Sequence, residues 1–443
     1  MVKTFGTAGI YTLGCKVNQY ESEAIAEELS ARGILVLSPS ESCDAYVINT
    51  CTVTAESDRK ARQFIRRAIS KNPNAVIVVT GCLAQTSAKS LCSIKGIDAI
   101  VGNTRKLYAA EVVSTLLSEG KKNPEPLIYV DDISGAEFEK MSITTFERTR
   151  AYVKIEDGCE NRCTYCIIPS ARGKVRSKLP DEVIREVCDL TRGGCREVVL
   201  TGIETASYGK DLGDVSLGDL LCRVDKIQGI GRVRLGSLDP SLIKEGFADK
   251  ISALSSLAPH FHLSLQSGSN RILALMKRKY NRDQAFAAME LLKKKLPTVQ
   301  FTTDVIVGFP GESDGDFDDT YDFIKRARFL NVHIFPYSKR TGTPAATMTD
   351  QIPEEVKKLR LHKLEALVAA IRREILEETV AKDPIKDVLF ETYRDGYAYG
   401  HTSEFIEVAV PSEGPLHAEL IKVKLTGTDG NICSGEIINP KIH

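Results

Sequence analysis

The sequence has no excess charge of either sign, because 59 lysines and arginines balance 59 aspartates and glutamates among its 443 residues. Bulk charge therefore indicates no nucleic-acid partner, and any contact with RNA must depend on local basic patches. No segment approaches the roughly 18 uninterrupted apolar residues of a membrane span, and residues 1–6 lack the apolar stretch of a secretion signal. We expect a cytoplasmic protein that does not contact a membrane.

The twelve cysteines are the most informative residues. A reducing cytosol disfavours disulfides and leaves them as ligands, catalytic groups or core residues. Cys159, Cys163 and Cys166 form a C-x3-C-x2-C run after the strand-like residues 151–155. Three thiolates at this spacing suit an iron–sulfur cluster and leave one iron open to another ligand. Structural zinc is the alternative, but such sites are closed by a fourth cysteine or histidine at short spacing, and none follows here.

Short apolar runs alternate with amphipathic helical patterns in the first third of the chain. The predicted strands are residues 9–13, 34–37, 45–48, 75–80 and 99–101, and the predicted helices are residues 21–32, 55–70 and 106–119. This alternation favours a doubly wound parallel sheet with helices on both faces. The polar residues 120–126 and the irregular residues 131–150 predict a connection between domains.

A second alternating series predicts an open or partial (β/α)6 barrel rather than a closed barrel of eight units. Its predicted strands are residues 151–155, 197–201, 232–236, 260–265, 300–307 and 332–336, with helices at residues 180–192, 284–295 and 317–328. A helix over residues 354–378 places Leu364, Leu367, Ile371 and Ile375 on one stripe and is expected to join the barrel to the tail. Four β-like runs, residues 388–392, 405–410, 420–425 and 435–438, predict a small β-barrel.

Cys15, Cys51 and Cys82 each follow a predicted strand of the first series. Ligands of a doubly wound sheet collect at the carboxyl ends of its strands, so these thiols can converge on a shared metal site. Three unrelated buried thiols are the alternative. The six remaining cysteines have no common placement and are expected to be structural: Cys43, Cys92, Cys188, Cys195, Cys222 and Cys433. For His260 and His262 we expect only one to face the barrel interior, and neither to be a better ligand than a cysteine.

Both cysteine triplets, together with the β tail, resemble the methylthiotransferases of the radical S-adenosylmethionine (SAM) superfamily over essentially the whole chain. The resemblance implies an N-terminal domain, residues 1–130, with an auxiliary 4Fe-4S cluster on Cys15, Cys51 and Cys82. It also implies a radical SAM domain, residues 145–378, whose 4Fe-4S cluster binds SAM, and a TRAM-like β domain, residues 379–443. One SAM would methylate a sulfur on the auxiliary cluster, and a second would yield the radical that removes hydrogen from C2 of an adenine.

The residues around the cysteines are most similar to the branch that modifies N6-threonylcarbamoyladenosine at tRNA position 37. These residues are 13–21, 49–54 and 157–173. Alternatives are the branches acting on isopentenyl-adenosine 37 or on an aspartate of ribosomal protein S12, a radical SAM enzyme of other chemistry, and an RNA-binding scaffold with structural metal sites. The implied partners are the tRNA anticodon stem-loop, a low-potential electron donor such as flavodoxin or ferredoxin, and a sulfur source. We nominate no catalytic side chain beyond the cluster ligands.

For SAM, the resemblance points to the cysteine loop and to the ends of barrel strands. The candidates are Tyr165, Gly202, Glu204, Ser237, Arg278, Val307 and Gly308. Arg278 is expected at the SAM carboxylate, because a guanidinium group matches a carboxylate in two-point geometry. A solvated charge run is the alternative.

For RNA, two basic groups are candidates to contact phosphates or the threonine carboxylate of the substrate. They are Arg59, Lys60, Arg62, Arg66 and Arg67 on the helix after Cys51, and Arg172, Lys174 and Arg176 after the cluster loop. A solvated helix face is the alternative for the first group. In residues 379–443, six basic residues stand against ten acidic ones, so RNA contact by the tail is expected to depend on shape or aromatic stacking.

Overall fold

The computed structural model describes residues 5–120, 125–146 and 149–438. Its first region contains, in chain order, β1 Thr7–Thr12, α1 Lys16–Ala31, β2 Leu35–Leu37, β3 Ala45–Thr50, α2 Ala55–Lys71, β4 Val76–Gly81, α3 Cys82–Leu91, β5 Ala99–Val101, α4 Tyr108–Glu119 and β6 Leu127–Tyr129. The strands form one parallel sheet in the order β2-β1-β3-β4-β5-β6. The predicted doubly wound sheet is confirmed, and β6 and α3 are additional elements.

Apolar side chains of this sheet alternate between its two faces. Val47 packs with Ile25 of α1 on one face, and its neighbour Ile48 packs with Ile65 of α2 on the other. Because successive residues of a strand point to opposite faces, both layers of helices are held by the same strands. The carboxyl ends of β1, β3 and β4 therefore lie side by side at one edge.

The connection after the sheet packs tightly. Residues 121–124 of the predicted connection lie outside the described residues. The backbone carbonyl of Met141 accepts hydrogen bonds from the Tyr20 hydroxyl at 2.9 Å and from Lys178 Nζ at 2.7 Å. Met141 and Ile143 are buried, so this segment fastens α1 to the barrel.

The second region is the predicted barrel. Its elements are β7 Ala151–Lys154, β8 Glu156–Asp157, α5 Ile168–Arg172, β9 Arg176–Ser177, α6 Pro180–Arg192, β10 Glu197–Thr201, α7 Leu217–Val224, β11 Arg232–Leu235, α8 Glu245–Ser252, β12 His260–Gln266, α9 Asn270–Leu275, α10 Arg282–Lys295, β13 Gln300–Val307, α11 Asp314–Ala327 and β14 Asn331–Pro336. Two parallel three-stranded sheets, β11-β10-β7 and β12-β13-β14, are joined by isolated bridges between β11 and β12, including Leu238 with Leu263. The partial barrel of six strand–helix units is confirmed.

The last region follows helix α12, Glu354–Lys382, which is longer than predicted and buries Leu364, Ile371 and Ile375. Its strands are β15 Ile385–Arg394, β16 Tyr397–Thr402, β17 Glu407–Pro411, β18 Leu420–Thr428 and β19 Cys433–Ile437. They close into a barrel in the order β15-β16-β17-β19-β18, which confirms the predicted small β-barrel and adds β16. Within the described ranges, no helix combines the length and apolar character needed to cross a membrane.

Candidate active site between the sheet and the barrel

The first cysteine triplet lies in the loop between β8 and α5. Gly158 begins this loop with φ of +85°, and a side chain there would place Cβ 1.9 Å from the Lys174 carbonyl oxygen, so only glycine fits. The Cys159 amide donates to the Gly173 carbonyl at 2.9 Å, and the Cys166 amide donates to the Cys163 carbonyl at 3.1 Å. These constraints hold the three thiols on one compact loop.

The second triplet assembles from three strand ends. Gly14, with φ of +100°, lies against Cys51, and a Cβ there would lie 2.9 Å from the Cys51 sulfur. Cys82 is electrostatically coupled to both Cys15 and Cys51. Cys51 and Cys82 are buried, whereas Cys15 is exposed. The topology of the sheet therefore brings together three thiols that are distant in sequence.

Both triplets have the chemistry of a cluster site. Burial raises the pKa of Cys51 and of Cys166 to about 11 and that of Cys159 to about 12, so binding iron must displace their protons. Each triplet supplies three thiol ligands, which suits an iron–sulfur cluster with one iron left open, whereas structural zinc sites are closed by four ligands.

Arg172 contacts the second triplet and is not available to RNA. It has no exposed surface, and its Nε donates to the Cys82 sulfur at 3.3 Å. Its guanidinium also pairs with Glu21 at 2.6 Å and with Asp157 at 3.1 Å. Although burial favours the neutral acid, Arg172 and neighbouring lysines hold the pKa of Glu21 well below its usual range. The assignment of Arg172 as an RNA contact is corrected, because its donors are used in the interior.

Arg176 requires the same correction. It is 6% exposed and donates to Asp157 Oδ2 at 3.1 Å. Lys174, between these two arginines, is exposed.

The other basic group lies on the surface of α2. Arg62 is half-buried, and its guanidinium donates a hydrogen bond to the Ser90 hydroxyl at 2.9 Å. The exposed members of the group are Arg59, Lys60, Arg66 and Arg67. Those five and Lys174 stay candidates for RNA contact.

Several SAM candidates gather beside the first triplet. Arg278 Nη1 donates to the Cys163 sulfur at 3.2 Å and Nη2 pairs with Asp239 at 2.8 Å. Glu204 accepts from Asn161 at 3.0 Å, and burial together with Asp239 raises its pKa to about 7. These groups can meet the charged amino-acid end of SAM.

The remaining SAM candidates occupy two kinds of position. Gly202 lies against Glu156, whose Oε2 would be 2.5 Å from an added Cβ, and the Ser237 carbonyl accepts from the Thr205 hydroxyl. In contrast, Val307 is 1% exposed within the core. Gly308 packs on Lys357, which an added Cβ would meet at 2.3 Å. The Val307 side chain is therefore enclosed by the core and the space beside Gly308 is filled by Lys357, so neither residue lies against open space.

A cavity of about 270 Å³ lies beside the first triplet and reaches the segment that follows Cys51. Tyr165, Cys166 and Ile167 form one wall, and Val53 and Thr54, which follow Cys51, form another. The ends of β12, β13 and β14 complete it with Gln266, Asp304, Ile306, Phe335 and Pro336. A molecule in this cavity would contact the loop of one triplet and the segment after the other.

Asp304, which lines the cavity, and His333 were not singled out by the sequence patterns. Atoms of His262, Asp304 and His333 approach within 4.8 Å of one another. The expectation that only one of His260 and His262 faces inward is wrong, because residues two apart on a strand share a face. Both contact the Thr302 hydroxyl, at 3.0 and 2.9 Å. The available signal was the polar alternation of Thr302 and Asp304 within an apolar strand.

Comparison with known proteins agrees with this geometry. The radical SAM superfamily matches residues 153–324, and the uncharacterized protein family UPF0004 matches residues 7–102. Among solved structures, the radical SAM methyltransferase TsrM from Kitasatospora setae, bound to tryptophan and a SAM analogue, has a TM-score of 0.54 at 16% identity and covers 77% of this chain and 74% of its own. Fold and cysteine loop together define a radical SAM enzyme.

Curated relatives specify the family. Threonylcarbamoyladenosine tRNA methylthiotransferase MtaB of Bacillus subtilis is 40% identical over 95% of this chain and 93% of its own length. The Thermotoga maritima protein of the same name is 35% identical over 98% and 99%. The tRNA-2-methylthio-N(6)-dimethylallyladenosine synthase of Pelotomaculum thermopropionicum is 36% identical over 94% of each chain. The chain belongs to the methylthiotransferase family of radical SAM enzymes, whose cofactors are SAM and 4Fe-4S clusters.

Proposed function

We propose that this enzyme converts N6-threonylcarbamoyladenosine at position 37 of tRNA into its 2-methylthio derivative. The observation that carries the proposal is the cavity lined by Cys166 of the first triplet and by Val53 and Thr54, which follow Cys51 of the second. Transfer of a methylthio group requires radical formation and sulfur delivery at one substrate atom, and a base in this cavity would contact a segment of each site. The relatives of that activity, 35–40% identical across most of the chain, favour this substrate.

Each triplet would hold one 4Fe-4S cluster, and the clusters would supply one-electron cleavage of SAM on one side and the transferred sulfur on the other. Arg278 orients the first site by donating to Cys163. Arg172 does the same for the second site by donating to Cys82. Tyr165 and Ile306 wall the cavity and exclude water around the base. Glu204 and Arg278 would bind the amino and carboxylate groups of SAM.

The partners implied by this reaction are a tRNA anticodon stem-loop, a low-potential electron donor such as flavodoxin or ferredoxin, and a source of sulfur. The exposed basic residues of α2 begin at the segment after Cys51 that lines the cavity. Phosphates flanking the modified nucleotide would contact them. We assign residues 1–130 to the sulfur-delivering domain, 145–378 to the radical SAM domain and 379–443 to the TRAM-like domain, of which 439–443 lie outside the described residues.

A second candidate is the 2-methylthiolation of isopentenyl-adenosine. Relatives named for dimethylallyladenosine are 34–36% identical to this chain, and the cavity has a largely apolar lining of Val53, Ile306 and Phe335. The polar side chains at its edge favour the threonylcarbamoyl group instead.

The test is mass spectrometry of nucleosides from tRNA incubated anaerobically with the reconstituted enzyme, SAM, sulfide and a reductant. We expect a methylthio product on threonylcarbamoyladenosine that is lost in Cys15→Ala and in Cys163→Ala. SAM cleavage should persist in Cys15→Ala and disappear in Cys163→Ala. Cys188→Ala, at a half-buried cysteine of α6, is the matched control and should retain the product.

Two results would overturn the proposal. Modification of isopentenyl-adenosine alone would transfer the function to the second candidate. SAM cleavage without modification of either nucleoside would direct the search to a protein substrate such as ribosomal protein S12.

A further inference from the structure

A polar group at the edge of the cavity has no role in holding either cluster. It comprises His262 on β12, Asp304 on β13 and His333 on β14, which are neighbouring strands. His262 Nε2 lies 3.3 Å from Asp304 Oδ2. Asp304 also lines the cavity beside Cys166. We call these three residues together with Lys16 the polar subsite.

A hydrogen-bond chain fixes His262. The Thr302 hydroxyl lies 3.0 Å from His260 Nε2 and 2.9 Å from His262 Nδ1. One hydroxyl hydrogen can be donated to only one of these rings. The Asp304 carboxylate can only accept, which places a hydrogen on His262 Nε2, so we assign the hydroxyl as accepting from His260 Nε2 and donating to His262 Nδ1. His262 then carries its proton on Nε2 and donates it to Asp304. This pairing is that of a hydrogen-bonded dyad rather than of two ligands sharing a metal ion.

Lys16 approaches the same place from the other domain. It directly follows Cys15, is exposed, and makes no hydrogen bond or ion pair with any described residue. Desolvation by the surrounding protein and the positive charges of Arg234 and Arg150 lower the pKa of Lys16, and the negative charges of Asp304 and Cys15 oppose this shift. Lys16 adds in turn to the effect of burial in lowering the pKa of His333. Arg150 and Arg234 already pair with carboxylates. Lys16 is therefore a cation free to bind an additional anion near Asp304.

The chemistry of this subsite is that of an amino-acid group. A bound molecule needs an anion for Lys16 and a hydroxyl or N–H donor for Asp304, with His333 as an additional polar contact. A threonylcarbamoyl group has a carboxylate, a hydroxyl and amide N–H groups, whereas an isopentenyl group has none of these. Charge-assisted hydrogen bonds of this kind favour the threonylcarbamoyl group, because an apolar analogue offers these polar side chains no hydrogen-bond partner.

We propose that the polar subsite binds the threonyl part of the threonylcarbamoyl group and so selects this substrate over isopentenyl-adenosine. Lys16 binds the carboxylate, and Asp304, oriented by His262, accepts from the hydroxyl or the carbamoyl N–H. The inference rests on the proposed function and assigns its specificity to particular residues. It also replaces the buried Arg172 and Arg176 as partners of the threonine carboxylate.

The experiment compares the affinities of anaerobically reconstituted enzyme for synthetic anticodon stem-loops bearing threonylcarbamoyladenosine, isopentenyl-adenosine or adenosine at position 37, by fluorescence anisotropy. For Lys16→Met we expect the preference for the threonylcarbamoyl loop over the adenosine loop to fall by roughly tenfold, as for one charge-assisted hydrogen bond. Asp304→Asn should reduce it less. Lys16→Arg should retain it, and Lys363→Met, at an exposed lysine of α12, is the matched control.

The outcomes separate this inference from the proposed function. If the wild type prefers and methylthiolates the threonylcarbamoyl loop while Lys16→Met keeps the full preference, the inference is overturned and the function stands. If the wild type neither prefers nor modifies that loop, the proposed function fails. Elemental analysis adds a further test, since a stoichiometric metal other than iron that is lost in His262→Ala would make the polar subsite a metal site and overturn the assignment. Iron content and thermal unfolding identify a variant that fails to fold. If Lys16→Met fails to fold, the affinities are compared in Lys16→Arg and Asp304→Asn instead.

Discussion

Two buried ion networks attach the central barrel to its neighbours, and they differ in what they contact. The N-terminal network joins four cations to two carboxylates: Lys106, Lys154, Arg172 and Arg176 with Glu21 and Asp157. The C-terminal network joins three arginines to two carboxylates: Arg150, Arg232 and Arg234 with Glu197 and Glu391. Both contain more cations than carboxylates. Only the N-terminal network contacts a cysteine of either triplet, through Arg172 and Cys82.

The difference indicates which anion would balance the excess positive charge of each network. Burying an unpaired cation is costly unless an anion accompanies it. In the N-terminal network, the cluster that Cys82 would help to hold would provide that anion. The C-terminal network lies near Lys16, where the proposed substrate carboxylate would provide it. On these proposals, the first network would stabilise a cofactor site, and the second would stabilise a docking surface beside the substrate.

The largest effect is expected for Arg172→Met. The substitution leaves Glu21 and Asp157 buried with fewer partners, and breaking such pairs costs about 3–5 kcal/mol. Chemical unfolding measures the loss, and iron analysis should show weaker retention at the second triplet. Arg105→Met, which breaks a surface pair with Asp131, is the control and should cost less than about 1 kcal/mol. Equal stability of Arg172→Met and the wild type would contradict this account of the N-terminal network.

Phe405→Ala tests the packing of the C-terminal network. The ring stacks on His260 at 4.8 Å and on His401 at 4.6 Å, with the Arg234 guanidinium 4.8 Å from its centroid. Because the side chain is half-buried, we expect a loss of about 2 kcal/mol, below the range for a fully buried phenylalanine. Hydrogen exchange should increase in β15 and β16. Tyr397→Ala, at a 44% exposed ring, should leave exchange nearly unchanged; an equal response from both variants would show that Phe405 does not hold the interface.

Acid should weaken the C-terminal network, as it should the N-terminal one, where the pKa of Glu21 is also held below its usual range. Burial alone would raise the pKa of Glu197, but Arg234, Arg150 and Arg232 lower it to about 2. A depressed carboxylate stabilises the fold above its unfolded pKa, and this stability is lost as the pH falls toward the folded value. With an unfolded pKa of about 4.3, the loss between about pH 5 and about pH 3 is near 1.5 kcal/mol. Glu197→Gln should lack this component of the pH dependence, measured as unfolding free energy; a parallel decline in both proteins would refute it.

The smallest effect concerns the outer face of the C-terminal barrel. Lys422 is exposed and pairs with Asp387 at 3.2 Å, and Lys424 is also exposed. Lys422→Glu with Lys424→Glu is expected to weaken tRNA binding by about threefold to tenfold, as for loss of peripheral phosphate contacts. A gel shift at physiological salt measures this, with Lys363→Glu on α12 as control. Unchanged binding would leave the C-terminal barrel as a structural cap with no RNA contact at this face.

Local patterns predicted much of the fold. The six barrel strands and the doubly wound sheet follow from apolar runs bounded by turns, since strand periodicity is a property of neighbouring residues. The elements without a predicted range include α3, β6 and β16, which are short or carry mixed polarity, and tertiary packing rather than propensity stabilises them. The loop of Cys159, Cys163 and Cys166 could be predicted from the sequence because its candidate ligands lie within one turn-rich segment.

The assignments that failed depended on distant neighbours. Arg172 and Arg176 have the sequence context of a surface run, yet Glu21, more than a hundred residues earlier, and Asp157 draw them into the interior. The face shared by His260 and His262 follows from strand geometry, but their common partner Thr302 lies on another strand. Lys16, Asp304 and His333 come from two domains, and no spacing in the sequence relates them.

The sequence by itself determined the class of chemistry, because metal-ligand type and local spacing are encoded in contiguous residues and at strand ends. Only the tertiary structure decided which charges are buried, which pair with one another and which remain open to a substrate. The physical reason is that the energy of a charge depends on its solvation and its neighbours in space. In this protein the neighbours that matter come from domains far apart in the chain.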